Sequence, residues 1–286
     1  MRYGAIFPQT EIGTDPIAIR DYAQAVEGLG YDYLLAYDHV LGADPEGREG
    51  RWPYTYLSSF HEPFALFSYL AGLTERIEFI SGVIILPQRQ TALVAKQAAE
   101  VDILSGGRLI LGIGSGWNYL EYESLGEGFH TRGRRLEEQV GLLRRLWSEP
   151  LVEFEGDFDR IPAAGINPRP NRLIPIWMGG TAPVVLDRIG RIGDGWVAGR
   201  GDIEQVADSV EAIHAAAERA GRDPSEIGIG ASVSYHRTPE EQVAFAARLE
   251  AAGADRLHVL TMDLGLETPG DHIDALRAFI EAARGS

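Results

Sequence analysis

Residues 77–113 read IEFISGVIIL PQRQ TALVAKQAAEVDIL SGGR LILGI. The apolar, β-rich run from Ile77 to Leu86 predicts a strand. Thr91 to Leu104 predicts a helix, and Leu109 to Ile113 the next strand. Two strands joined through a helix lie parallel in one sheet. The same alternation extends in both directions along the chain.

Toward the N-terminus, Tyr3-Gly-Ala-Ile-Phe7 is a first strand. Asp15-Pro16 then supplies an N-cap and a proline at the first helical position. Ile19, Tyr22, Val26 and Leu29 follow at helical spacing until Gly30. Tyr31 to Tyr37 is a second strand and Pro63 to Leu73 a second helix. Beyond strand four, Thr131 to Trp147 is helical, with Leu136, Val140, Leu143 and Trp147 on one face. Ile174 to Met178, Gly195 to Ala198, Ile227 to Val233 and Arg256 to Leu260 are strands five to eight. Between and after them come helices opening near Pro183, Ile203 and Thr238, and a last one carrying Ile273, Leu276 and Ile280. Thr238-Pro239-Glu240-Glu241 has the form of a capping box.

Eight strand–helix units in 286 residues predict an α/β fold, the (β/α)8 TIM barrel. Three stretches exceed a minimal barrel. They are Leu41 to Phe60 after strand two, Trp117 to His130 after strand four, and Leu151 to Arg172 before strand five. The last contains Val152-Glu-Phe-Glu-Gly-Asp-Phe158, read as a small hairpin. No low-complexity linker interrupts the chain, so residues 1–286 are expected to form a single domain.

Composition narrows the function. Acidic residues outnumber basic ones 42 to 26, a net charge of −16. That balance argues against nucleic acid, which needs a basic surface, and against anionic membranes. The absence of cysteine excludes disulfides, thiolate metal sites and a cysteine nucleophile. No signal peptide is expected at MRYGAIFPQTEIG, and no run approaches the roughly 18 apolar residues of a membrane span, so a cytoplasmic location is expected. Seven histidines are present without an H-E-x-x-H pattern, and no metal site is predicted. There is no G-x-S-x-G elbow.

In a barrel the active site lies at the C-terminal ends of the strands. Strand two ends in Asp38-His39. The imidazole is placed for proton transfer with the aspartate orienting it, or the pair only orders the following loop; spacing leaves both open. Strand four runs into Leu111-Gly-Ile-Gly-Ser-Gly-Trp-Asn118 and strand five into Met178-Gly-Gly-Thr181. Glycines there let backbone N–H groups approach an anion, or they serve as tight turns, with Thr181 capping the next helix. The exits of strands seven and eight, Ser234-Tyr-His-Arg237 and Met262-Asp-Leu-Gly-Leu266, are not glycine-rich, which argues against an ordinary sugar-phosphate enzyme. Trp52, Tyr54, Tyr56 and Phe60 either wall an apolar pocket or pack their loop. His258, within strand eight, is read as a structural histidine.

Together these landmarks resemble the luciferase-like monooxygenase superfamily, in its branch of coenzyme F420-dependent oxidoreductases. The matching segments are Gly30-Tyr-Asp with Asp38-His39, Thr74-Glu-Arg-Ile77 through Ser81-Gly-Val83 and Pro87, Ala95-Lys96, and Leu104-Ser-Gly-Gly-Arg108. Further along come Leu111 to Asn118, Phe129-His-Thr-Arg-Gly133, Pro175-Ile-Trp-Met-Gly-Gly180 and Gly193-Asp-Gly-Trp196.

The resemblance implies a homodimeric barrel that binds coenzyme F420, or alternatively FMN, at the strand ends. It places Asp38 and His39 beside the cofactor ring, with His39 as the proton donor or acceptor. It implies a cis peptide at Gly82–Val83, with Ser81, Gly82 and Val83 forming a bulge behind the ring. Gly114, Ser115, Gly116, Trp117 and Asn118, with Met178, Gly179, Gly180 and Thr181, are expected to hold the phosphate and side chain. The implied activity is hydride transfer between deazaflavin and a small organic substrate. The alternatives are an FMN-dependent monooxygenase fed by a separate cofactor reductase, and a non-catalytic flavin or deazaflavin carrier. Sugar-phosphate-oxidising members carry a tryptophan shortly after the histidine. Here that stretch is Val40-Leu-Gly-Ala-Asp44, so that substrate is not transferred.

Overall fold

The computed structural model describes residues 1–49, 52–199, 201–234 and 238–285. The chain runs β1 (Arg2–Ile6), α1 (Pro16–Gly28), β2 (Tyr33–Ala36), α2 (Pro63–Ala71), β3 (Glu78–Ser81), β4 (Ile84–Ile85), α3 (Thr91–Leu104) and β5 (Leu109–Gly114). It continues through α4 (Tyr119–Ser124), α5 (Arg132–Ser148), β6 (Val152–Glu155), β7 (Arg160–Ala164), β8 (Ile176–Gly179), α6 (Pro183–Ile192) and β9 (Gly195–Val197). The last elements are α7 (Ile203–Arg219), β10 (Gly228–Ser234), α8 (Pro239–Ala251), β11 (Arg256–Leu260) and α9 (Pro269–Gly285).

Eight strands pair in parallel in the order β1, β2, β3, β5, β8, β9, β10, β11, and β11 returns to β1. This is the closed (β/α)8 barrel expected from the repeat. Local signals set the helix starts. Asp15 accepts the N–H of Ile17 ahead of Pro16, and Thr238 and Glu241 form the full reciprocal capping box. Among the described residues, no helix is long and apolar enough to cross a membrane.

Side chains alternate along each strand, as the pleat requires. Leu34, Phe79, Leu111, Met178 and Trp196 face outward into the layer shared with the helices. Tyr33, Leu35, Ile80, Ile110, Trp177 and Leu260 fill the barrel. At its N-terminal end Arg256 bonds Glu78 at 2.7 Å and lies over the Tyr33 and Trp177 rings at 5.4 and 5.2 Å. These contacts plug the barrel interior at that end.

Three local readings change. The predicted third strand is interrupted by a cis peptide between Gly82 and Val83, with β4 resuming beside β5. The hairpin extends past Phe158 to Ala164, because the Glu138 carboxylate accepts the N–H groups of Asp157, Phe158 and Asp159 and holds the turn. The stretch from Trp117 to His130 contains α4, capped by Asn118, which accepts the N–H of Leu120. In the predicted exit of strand seven, residues 235–237 lie outside the described residues.

Candidate active site

The ends of β2, β3, β5 and β8 enclose a cavity of about 660 Å³. Asp38, His39, Gly82, Val83, Gly114, Ser115, Gly116, Trp117, Asn118, Gly179, Gly180 and Thr181 all line it. The sequence analysis named every one of these residues. Two others it named do not line the cavity. Ser81 is buried, and its hydroxyl donates to the Gly112 carbonyl at 2.8 Å and accepts the Gly112 N–H. Met178 alternates outward into the helix layer.

Several of the glycines serve the bulge. A β-carbon on Gly114 would stand 2.6 Å from Cγ2 of Val83, and one on Gly179 would stand 3.1 Å from its Cγ1. On Gly112 it would collide with the Ser81 carbonyl. These strands stay bare so that the Gly82–Val83 segment can enter between them. Gly116 and Gly180 do adopt left-handed backbone, with φ of 64° and 124°. Beyond Gly180, α6 begins at Pro183 with Ala182 at its N-cap and no side-chain cap, so Thr181 does not play the capping role considered above. Pro183 brings no N–H, and the Ala182 carbonyl takes those of Val185 and Leu186, so little of the first turn of α6 is free to meet a ligand at the cavity rim.

Asp38 and His39 diverge, so the aspartate does not orient the histidine. Asp38 is buried and takes the Arg89 guanidinium at 2.8 and 3.0 Å, together with the Ile85 N–H at 3.2 Å. Burial pushes its carboxyl above the ordinary range, and Arg89 pulls against that. The His39 Nδ1 lies 3.3 Å from Oε1 of Glu121 on α4. The same oxygen accepts the N–H groups of Val40 at 2.9 Å and Leu41 at 3.0 Å, and Gln88 donates to Oε2 at 3.4 Å. Glu121 is only 1% exposed. Burial alone would raise its carboxyl, but these donors outweigh it and hold it below the ordinary carboxylate value.

Around the imidazole stand Phe60, Tyr54 and Trp117, at ring distances of 4.9, 5.2 and 5.7 Å. Of the four aromatics of the β2 loop only Tyr54 lines the cavity; Phe60 packs on the histidine, Trp52 packs on Trp117, and Tyr56 is exposed, so the loop's aromatics mostly pack the loop. Asn118 spends its amide within the protein, donating to the Leu41 carbonyl while its oxygen caps α4. His258 is fully buried at the cavity's inner end and bonds the Tyr33 hydroxyl at 2.8 Å.

Arg89 and Glu121 were missed. Nothing local marks Arg89. Asn118 followed three positions later by Glu121 has N-cap spacing and could have revealed α4. A second cavity, of about 630 Å³ at the N-terminal end of the barrel, is lined by Arg144, Arg191 and Arg222. These pair with Asp194, Asp187 and Glu137, a structural ion network with no cation left over among them.

Comparison with known proteins bears on the family and the fold. The family model for luciferase-like monooxygenases matches residues 4–280. An F420-dependent glucose-6-phosphate dehydrogenase of Amycolatopsis mediterranei is 29% identical over 270 residues, 90% of this chain and 78% of that protein. An FMNH(2)-dependent dimethylsulfone monooxygenase of Pseudomonas fluorescens is 31% identical over 80% of this chain, which spans 60% of that protein's length. In structure, an F420-dependent secondary alcohol dehydrogenase solved with an F420-acetone adduct superposes with a TM-score of 0.81. It covers 99% of both chains at 17% identity, so this likeness speaks to fold alone.

Proposed function

The chain belongs to the luciferase-like monooxygenase family, and from that premise we propose that it is an oxidoreductase that uses coenzyme F420 to act on a small organic substrate, with His39 handling the coupled proton. When bound, the deazaflavin supplies the hydride chemistry; the protein positions and shields it.

The observation that carries this reading is the placement of His39, an imidazole in the wall of the cavity bounded by the Val83 bulge and two glycine-rich strand ends. The fit of the group rests on particular features. Gly114 and Gly179 admit the Val83 bulge that walls the cavity, and Gly116 and Gly180 bring backbone without side chains to its rim, where a phosphate can approach. Asp38 keeps its place beside the ring position through Arg89. Tyr54 and Phe60 of the β2 loop, with Trp117, pack around the His39 ring and fix its place. A homodimer in the cytoplasm belongs to the same proposal.

A second reading has its own support. The Pseudomonas relative carries FMNH(2) in its name, so FMN with a separate reductase is the competing assignment. The Asp38-His39 pair favours deazaflavin. Turnover separates them. With F420 and a panel of alcohols and carbonyl compounds, the deazaflavin's visible absorbance is expected to change without oxygen. Oxygen uptake with supplied reduced FMN, and no reaction with F420, would establish the competing reading.

A further inference from the structure

We propose that Glu121 is the positioning residue of this site: its carboxylate holds the resting proton of His39 on Nδ1 and leaves Nε2 as the nitrogen that exchanges a proton with substrate. The inference rests on His39 being the proton-handling group.

The geometry supports it from several sides. Glu121 Oε1 is shared by the Val40 and Leu41 N–H groups and His39 Nδ1, so backbone atoms fix the oxygen that meets the ring. A carboxylate oxygen accepts and does not donate, so the ring nitrogen facing it must carry the hydrogen. A proton leaving a substrate hydroxyl then goes to Nε2, and the imidazolium that forms is balanced by the carboxylate behind it. In the reverse direction Nε2 returns the proton to the substrate oxygen.

The charged and titratable groups near the ring among the described residues are few. Glu121 comes from α4 and Tyr54 from the β2 loop. Asp38 and Arg89 are committed to one another, with Glu62 at 3.4 Å from Arg89. Of these, Glu121 is the charge bonded to the imidazole. A purely structural role, tying the start of the β2 loop to α4, would need its oxygen but not its charge.

That difference is testable. Glu121→Gln keeps the acceptor oxygen for Val40, Leu41 and His39 while removing the charge. Losing a negative charge beside an imidazolium disfavours its protonated form. The histidine limb of the pH–kcat profile is therefore expected to move to lower pH, with cofactor affinity nearly unchanged and a lower melting temperature from the loss of the Gln88 acceptor at Oε2. A limb that stays in place overturns the proposal. Independently of turnover, nitrogen NMR of the wild-type protein with labelled histidine, assigned against His39→Asn, is expected to show the Nδ1–H tautomer. An Nε2–H tautomer overturns it. If no turnover with deazaflavin is found, the functional reading falls, and the tautomer still decides the role of Glu121.

Discussion

Cγ2 of Val83 lies 2.6 Å from where a β-carbon on Gly114 would stand, so a strand of the barrel is bare of side chain because the bulge before it occupies the space. Gly114→Ala is expected to destabilise the fold by about 1–3 kcal/mol through overpacking, and to weaken cofactor binding. Adding Val83→Ala should recover most of the stability. Urea unfolding of the two single variants and the double measures this. A double variant no more stable than Gly114→Ala would contradict the packing account.

His39→Ala is expected to keep cofactor affinity within a few-fold and to lower kcat by roughly 10²–10⁴, the usual contribution of a positioned acid–base group. Steady-state kinetics alongside a binding titration checks it. Unchanged turnover would remove His39 from the mechanism.

Arg89 bonds a buried carboxylate at 2.8 Å. Arg89→Met leaves Asp38 without its cation and is expected to cost about 3–5 kcal/mol. Asp38→Asn added to Arg89→Met should restore a large part of that loss. Chemical denaturation of the series reads the coupling, and additive losses would show that the two side chains act independently.

Burial first, and the charge of Arg256 second, hold His258 from its ordinary 6.5 down to about 3. The unfolded chain therefore binds a proton at this residue that the folded protein refuses between those values. The stability His258 supplies is complete above pH 6.5 and is lost as pH falls toward 3. The cost of His258→Gln should thus shrink by about 2–3 kcal/mol between pH 7 and pH 4.5. Unfolding measured at both pH values tests this, and a cost independent of pH would show that His258 is not held neutral.

The helices and strands were legible where local chemistry sets their limits. Thr91–Leu104 and Arg256–Leu260 lie where the sequence placed them, and α6 opens at Pro183 as expected. The barrel followed from repetition of that alternation. The cavity wall was legible as a set of strand ends, because the architecture decides which residues follow each strand. The partners were not. Glu121 is 82 residues from His39, and Arg89 is 51 from Asp38, so only the closed barrel brings them together. Asp38 and His39 are neighbours in sequence, yet their side chains turn to different elements. Gly114 and Gly179 read as anion cradles because a glycine that admits a bulge carries the same letter as one that admits a phosphate.

The most direct test of the account is a binding titration of the purified apoprotein with F420 and, separately, FMN, each followed by fluorescence. F420 is expected to bind with micromolar or tighter affinity and to outcompete FMN. Tighter binding of FMN would contradict the cofactor assignment.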